Sequence, residues 1–394
     1  MTPRSMLVGA LTGLLCWLPA AAETVKVGIV NTYSGPLAAA GEQMDRGIRL
    51  YMKLHEKELP PGVTIELIRR DDTGPNPEVA KRLAQELITR DKVQILTGVV
   101  WSPNALAMAP LVTEAKTPFI VMNAGTSPIT ARSPYIVRMS FTLWQSAYPL
   151  GAWAAKNGYA KVYTAVSDFA PGIDCEQAFT KGFTENGGQI IGSVRMPVAN
   201  PDFVPFLQRA KDAKPDAVFG FVPAAREATG LMKAFGDLGL PQAGIKLIGT
   251  GDLTTDEELP GMGDAALGVI TMHHYAAAAD RPANKAFIAA YKAEFGAKEE
   301  PGFIALDSFD GMAAIFHVVR EQGGKMDPDK TIALLKGWRY DSPRGPVMID
   351  PETRDIVQNE YIRKVERVDG QLRNIEFVTV PMIKDPWKVF NPPK

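Results

Sequence analysis

The chain has 394 residues, is 46% hydrophobic and 22% charged, and carries a formal net charge of −1. This is the composition of a globular protein. With no basic or acidic blocks, it argues against nucleic acid or an anionic membrane surface as partner.

The N-terminus reads as a secretory signal. Arg4 supplies the positive start, residues 6–18 form an apolar stretch, and Ala20, Ala21 and Ala22 provide a small-residue cleavage site, so Glu23 is expected to begin the mature chain. The apolar run falls short of the roughly 18–20 residues that span a bilayer. Leu15, before Cys16, is not the small residue a lipid-anchor signal wants. Cleavage would leave Cys175 as the one thiol, unable to form an internal disulfide and best read as a small buried apolar residue. About 370 mature residues predict two domains.

Short apolar strands then alternate with helix-length amphipathic segments. Strands are predicted at 25–30, 64–69, 93–98 and 118–122, with helices at 41–58, 77–90 and 104–115 between them. This βαβ rhythm predicts a parallel sheet with helices on both faces. The rhythm restarts with helices at 144–157, 173–186, 203–214 and 224–238 and strands at 161–166, 189–195, 217–221, 246–250 and 268–272, a second doubly wound lobe. Helices follow at 284–295, 304–322 and 329–336. The tail turns to strands at 347–349, 360–367 and 375–380, the last two joined by an Asp369-Gly370 turn.

Catalytic signatures are missing from the sequence. The four histidines, His55, His273, His274 and His317, do not have zinc-protease spacing, and no Walker loop, nucleophile elbow or dinucleotide fingerprint is present. His273, His274 and Tyr275 are expected to fill a crevice between the lobes. Asp307 and Asp310 are expected on one helix face in a solvated or capping role. No catalytic residue, metal ligand or cofactor site is expected.

In open α/β sheets, ligands bind outside the carboxyl ends of the strands. The loops there are rich in small and polar residues, and helix N-termini beside them favour an anionic group such as a carboxylate. The candidate contacts are Ser34 in the first loop, Trp101 and Ser102 in the next, and Asn123, Ala124, Gly125 and Thr126 after the fourth strand. Phe169, Pro171, Pro223, Ala224 and Asp252 come from the second lobe, and Tyr275 from the crevice.

Ser34-Gly35-Pro36 with Gly41 and Gly47, Gly98 with Ser102, residues 123–130, Asp168 with Gly172, and the closing strands from Gly345-Pro346 to Asp369-Gly370 occur in a telling order. In these features the chain resembles the branched-chain amino acid (Leu/Ile/Val-binding) family of bacterial ABC-transporter solute-binding proteins. The resemblance covers essentially the whole mature chain. It implies an α/β type I periplasmic binding fold of two doubly wound lobes joined by a three-segment hinge crossing near Phe141, His273 and Arg344. Lobe 1 would hold residues 23–141 and 274–344, and lobe 2 residues 142–273 and 345–394. It also implies a periplasmic monomer that delivers a small carboxylate to a membrane permease. By the same resemblance, Ser102 with the loop of Ala124 and Thr126 would hold the carboxylate, and Asp252 would stand where amino-acid binders hold the ammonium.

Two departures stand out. Trp101 occupies a position that is usually small in the amino-acid binders, and Pro171 stands where they usually carry a tyrosine, with Phe169 nearby. Aromatic faces stack flat rings, worth about 0.5–1.5 kcal/mol beyond burial. The favoured ligand is therefore an aromatic carboxylate such as a benzoate-like or arylalkanoate acid, with Asp252 accepting a hydrogen bond from a ring hydroxyl. The competing readings are an aliphatic amino acid, with Trp101 only packing the lobe, and a periplasmic component of a ligand sensor.

Overall fold

The computed structural model describes residues 23–35, 38–198, 201–224 and 226–392. The signal segment with Cys16, together with Pro36 and Ala225 of the candidate loops, lies outside them.

A first parallel sheet contains β1 (Glu23–Asn31), β2 (Val63–Asp71), β3 (Ile95–Gly98), β4 (Phe119–Val121) and β5 (Ile136–Arg138), in the order β2-β1-β3-β4-β5. Its crossovers are α1 (Ala38–His55), α2 (Pro77–Thr89) and α3 (Ser102–Glu114). In α2, Pro77 takes the first helical position, where no N–H is missed, and the Asn76 side chain accepts the Val79 N–H.

The chain next runs through α4 (Leu143–Lys156), β6 (Lys161–Ser167), α5 (Ala170–Thr184), β7 (Gln189–Met196), α6 (Val204–Asp212), β8 (Ala217–Phe221), α7 (Arg226–Asp237), β9 (Lys246–Thr250), α8 (Leu259–Met262) and β10 (Ile270–His273). A Thr142/Gln145 capping box starts α4. After β10 come α9 (Pro282–Phe295), α10 (Phe303–Gln322) and α11 (Pro328–Leu335), then β11 (Arg339–Ser342), β12 (Gly345–Ile349), β13 (Ile356–Val368), β14 (Gln371–Ile383) and α12 (Pro386–Phe390). The second sheet is parallel through β7-β6-β8-β9-β10. It is continued by antiparallel β13, which also carries β14 and, through β12, β11.

Each sheet has its own outer apolar core, one under α2 and α3 and one under α6 and α7. A larger core runs without a break from α1 and α10 to α4 and α5. The chain passes between the two layers three times: from β5 to α4, from β10 to α9, and between α11 and β12. Arg339–Ser342, which the expected division grouped with the first lobe, hydrogen-bonds to β12 and so extends the second sheet.

One buried guanidinium ties these passages together. Arg344 donates to the Met139 carbonyl at 3.1 Å, to the Ser140 carbonyl at 2.8 Å and to Gln358 Oε1 at 2.8 Å. It also pairs with Asp307 at 3.0 Å and Asp310 at 2.6 Å, while His274 Nε2 lies 2.8 Å from Asp307 Oδ1. The expectation of a solvated or capping pair at Asp307 and Asp310 is corrected: both are fully buried. Helical spacing put the two carboxylates on one face. It did not show that the face turns inward onto an arginine thirty-odd residues on. Burial pushes both carboxyls upward and Arg344 pulls them back down.

Candidate functional site

A cavity of about 590 Å³, counting its opening to solvent, lies where the two sheets' carboxyl ends meet. Ala40, Val100, Trp101, Ser102, Asn123, Gly125, Phe303 and Ile304 wall it on the first side. Phe169, Pro171, Phe221, Pro223, Ala224 and Asp252 wall it on the second, and Phe141 and Leu143 close it at the first chain passage.

The first side is built by a bent connection. Gly98 has φ +98° and Val99 φ +39°, a left-handed conformation that a β-branched residue rarely adopts. The Val99 carbonyl accepts the Ala124 N–H at 3.1 Å. The chain then turns so that Val100, Trp101 and Ser102 all reach the cavity. Trp101 is pinned through its indole N–H, which donates to Thr32 Oγ1 at 2.8 Å, while Thr32 donates to the buried Asp72 at 2.6 Å. Ser102 Oγ accepts the Thr126 N–H at 3.2 Å, leaving its own proton to give.

No lysine or arginine lines the cavity among the described residues. An anion here would be met by the Ser102 hydroxyl and by backbone N–H groups. Ser102 opens α3 and Pro171 lies in the first turn of α5, and neither helix has a side-chain N-cap hydrogen bond. Their uncapped N–H groups and dipoles favour negative charge at this spot. Close approach fixes the α5 end: a Cβ on Gly172 would overlap the Ser167 carbonyl, so only glycine lets the helix start this near β6.

Asp252 brings a carboxyl to the opposite wall. Thr250 Oγ1 donates to its Oδ2 at 2.8 Å, and burial raises its pKa to about 6. Between the two polar poles the surface is aromatic and aliphatic. Phe169 stacks near Phe221 with centroids 6.2 Å apart, and Phe141 meets Phe303 edge-on at 5.6 Å.

Trp101, Ser102, Asn123, Gly125, Phe169, Pro171, Pro223, Ala224 and Asp252 all line this cavity. Ser34, Ala124, Thr126 and Tyr275 do not line the cavity, and the expectation of direct contact is corrected for them. Ser34 is exposed, next to Tyr33, whose N–H donates to Asp71. Ala124 points into the core under α2 and α3. Thr126 acts one step back, its N–H on Ser102 and its carbonyl accepting from Arg138 at 2.8 Å. Tyr275 is fully buried, its carbonyl accepting from Arg363. The sequence reading passed over Ala40, Val100, Phe141, Leu143, Phe221, Phe303 and Ile304 as contacts. Phe141 carried a signal, since it was named as a lobe crossing.

Residues 24–371 match the periplasmic binding protein family model. The chain belongs to this family. This periplasmic binding protein is 41% identical to "Leu/Ile/Val-binding protein homolog 6" of Brucella melitensis over 96% of the chain and 98% of the relative. It is 54% identical to a solute-binding protein of an ABC transporter from Rhodopseudomonas palustris BisB5, solved in complex with 3,4-dihydroxybenzoic acid. That match has a TM-score of 0.89 and covers 93% of this chain and 99% of the other. A second such protein, from R. palustris HaA2 in complex with p-hydroxybenzoic acid, is 46% identical with a TM-score of 0.89, covering 92% and 98%. The type I fold and the resemblance to the Leu/Ile/Val-binding proteins thus hold for this periplasmic binding protein.

Proposed function

We propose that this periplasmic binding protein captures a hydroxylated aromatic carboxylate, of the 4-hydroxybenzoate type, for an ABC importer. One observation carries the reading: a ring-lined cavity with an anion-favouring pole at Ser102 and the α3 and α5 N-termini, and a hydrogen-bond acceptor, Asp252, at the other. A flat acid with a para hydroxyl matches both poles, and the ligands of the two Rhodopseudomonas proteins have that chemistry. In this reading the walls split into lobes at 141/142, at 273/274 and between α11 and β11, and closure on the ligand presents a surface to a membrane permease. Residues 1–22 act as a cleaved export signal, the mature protein is a monomer, and the ligand leaves chemically unchanged.

Thermal-shift and calorimetric titration of the mature protein test the assignment. A ligand that binds only the folded state raises its apparent stability by mass action. Stabilisation by 4-hydroxybenzoate and 3,4-dihydroxybenzoate, with none by leucine or valine, is expected. Shifts with leucine or valine alone would favour the second reading, an aliphatic amino acid with Asp252 on its ammonium, to which the name of the Brucella relative lends support.

A further inference from the structure

Phe303 and Ile304 enter the cavity from the first turn of α10, and Gly302 precedes them. The backbone at Gly302 does not demand glycine, for its φ of −85° suits any residue. The space around it is taken up by the end of one side chain. A Cβ there would overlap both carboxyl oxygens and Cδ of Glu257. Glu257 comes from the other side of the cleft, just beyond the Gly251–Thr254 turn that carries Asp252. Its Oε2 is buried without a hydrogen-bond partner.

Its neighbours are anchored differently. Asp256 accepts the Ala277 N–H at 3.1 Å and Asn374 Nδ2 at 3.0 Å, and Glu258 accepts from Thr229 Oγ1 at 3.3 Å. On the facing loop, Glu300 pairs with Lys292 at 2.6 Å and Arg373 at 3.1 Å. Both segments are thus braced, and Glu257 meets Gly302 where they touch. Glu257 also lines a hollow that shares Ala40, Ala224 and Ile304 with the ligand cavity, but it does not line the cavity itself.

We propose that Glu257 is a positioning residue for ligand binding: its carboxyl, seated on the bare α-carbon of Gly302, sets how far Phe303 and Ile304 reach into the cavity. The affinity readout rests on the ligand assignment above; the exchange readout does not.

The test uses the mature protein, with 4-hydroxybenzoate titrated by calorimetry and deuterium exchange followed at residues 303–306 without ligand. Gly302→Ala is expected to weaken binding about tenfold or more, the scale of an overpacked contact, and to speed that exchange. Removing the carboxyl while leaving Gly302 intact, in Glu257→Ala, is expected to weaken binding several-fold and to speed the same exchange. Glu257→Gln keeps the shape and is expected to bind within about threefold of the parent, well short of the tenfold step that 1.4 kcal/mol makes. Parent-like behaviour of Glu257→Ala in both readouts, or of Gly302→Ala in both, overturns the proposal. If Gly302→Ala fails to fold, Glu257→Ala decides: a defect in its exchange supports the seat and parent-like exchange overturns it. A parent protein that ignores 4-hydroxybenzoate defeats the ligand assignment, and exchange alone then decides the seat.

Discussion

At the residue scale, the cavity separates charge attraction from ring recognition. Ser102 has one proton to give, and no lysine or arginine lines the cavity among the described residues, so in the proposed binding mode its hydroxyl carries a large share of the polar contact with the carboxylate. Ser102→Ala is expected to cost about 1.5–3 kcal/mol of binding free energy, the range for hydrogen bonds to charged groups. Calorimetry with 4-hydroxybenzoate measures it, and an unchanged affinity would place the carboxylate elsewhere. Asp252 acts on the other end. Asp252→Ala is expected to weaken 4-hydroxybenzoate by about tenfold or more and to leave benzoate within a few-fold, because benzoate has no hydroxyl to lose. Burial holds the Asp252 pKa near 6, so its carboxylate is the stronger acceptor above that pH. The preference for 4-hydroxybenzoate over benzoate is accordingly expected to narrow as the pH falls through about 6. A preference that stays constant from pH 7.5 to 5 would remove Asp252 from the contact.

At the element scale, the α5 N-terminus depends on glycine at one critical approach. Gly172→Ala would drive a methyl into the Ser167 carbonyl, so α5 must retreat and take Phe169 and Pro171 with it. A loss of about 1–3 kcal/mol in urea unfolding, with weakened ligand binding, is expected. The same scale shows what the sequence could reveal. Loops after strands in a doubly wound pattern are visible as clusters of small residues, so Trp101, Ser102, Gly125 and Asp252 were legible. Phe303 and Ile304 were not. They open a helix read from residue 304 for its core face, and nothing local says that its first turn reaches a cleft built by strands 50 to 200 residues away. Three-residue β5, set in a Ser- and Pro-rich stretch after a short 3₁₀ turn at Ser127–Arg132, offers too little alternation to be seen. The first helix begins at Ala38 rather than residue 41, since the alanines ahead of its amphipathic stripe add no periodic signal.

At the scale of the whole molecule, the hinge region is a buried polar joint. Arg344→Met would leave Asp307 and Asp310 without their cation, and breaking a buried pair from one side costs about 3–5 kcal/mol. Chemical unfolding of the unliganded protein tests this, and a loss under 1 kcal/mol would mean that the joint is satisfied without Arg344. His273 sits in the same region, fully buried between Phe141 and Phe303, with neither ring nitrogen bonded. Burial, then the neighbouring His274, Arg363 and Arg344, push its pKa well below the usual histidine range. The unfolded chain therefore takes up a proton near pH 6.5 that the folded chain refuses, and stability from this group is lost as pH falls below that value. Buried carboxyls such as Asp252, with raised pKa values, act in the opposite sense as the pH falls toward 4. Comparing His273→Phe with the parent isolates the histidine: between pH 7.5 and 5.5 the variant is expected to avoid about 1.4 kcal/mol of loss. Equal pH slopes would show that His273 protonates in place.

Cys175 is fully enclosed, and burial pushes its thiol far from the ionised form that reacts with electrophiles. It is the one cysteine among the described residues. Maleimide dyes should therefore pass it by and label only thiols added by design. Ser34→Cys and Asp168→Cys would put two such handles at exposed loop positions, one beside each sheet. A donor and acceptor fluorophore there would turn the opening and closing of a single molecule into a change of colour, with the native thiol left untouched.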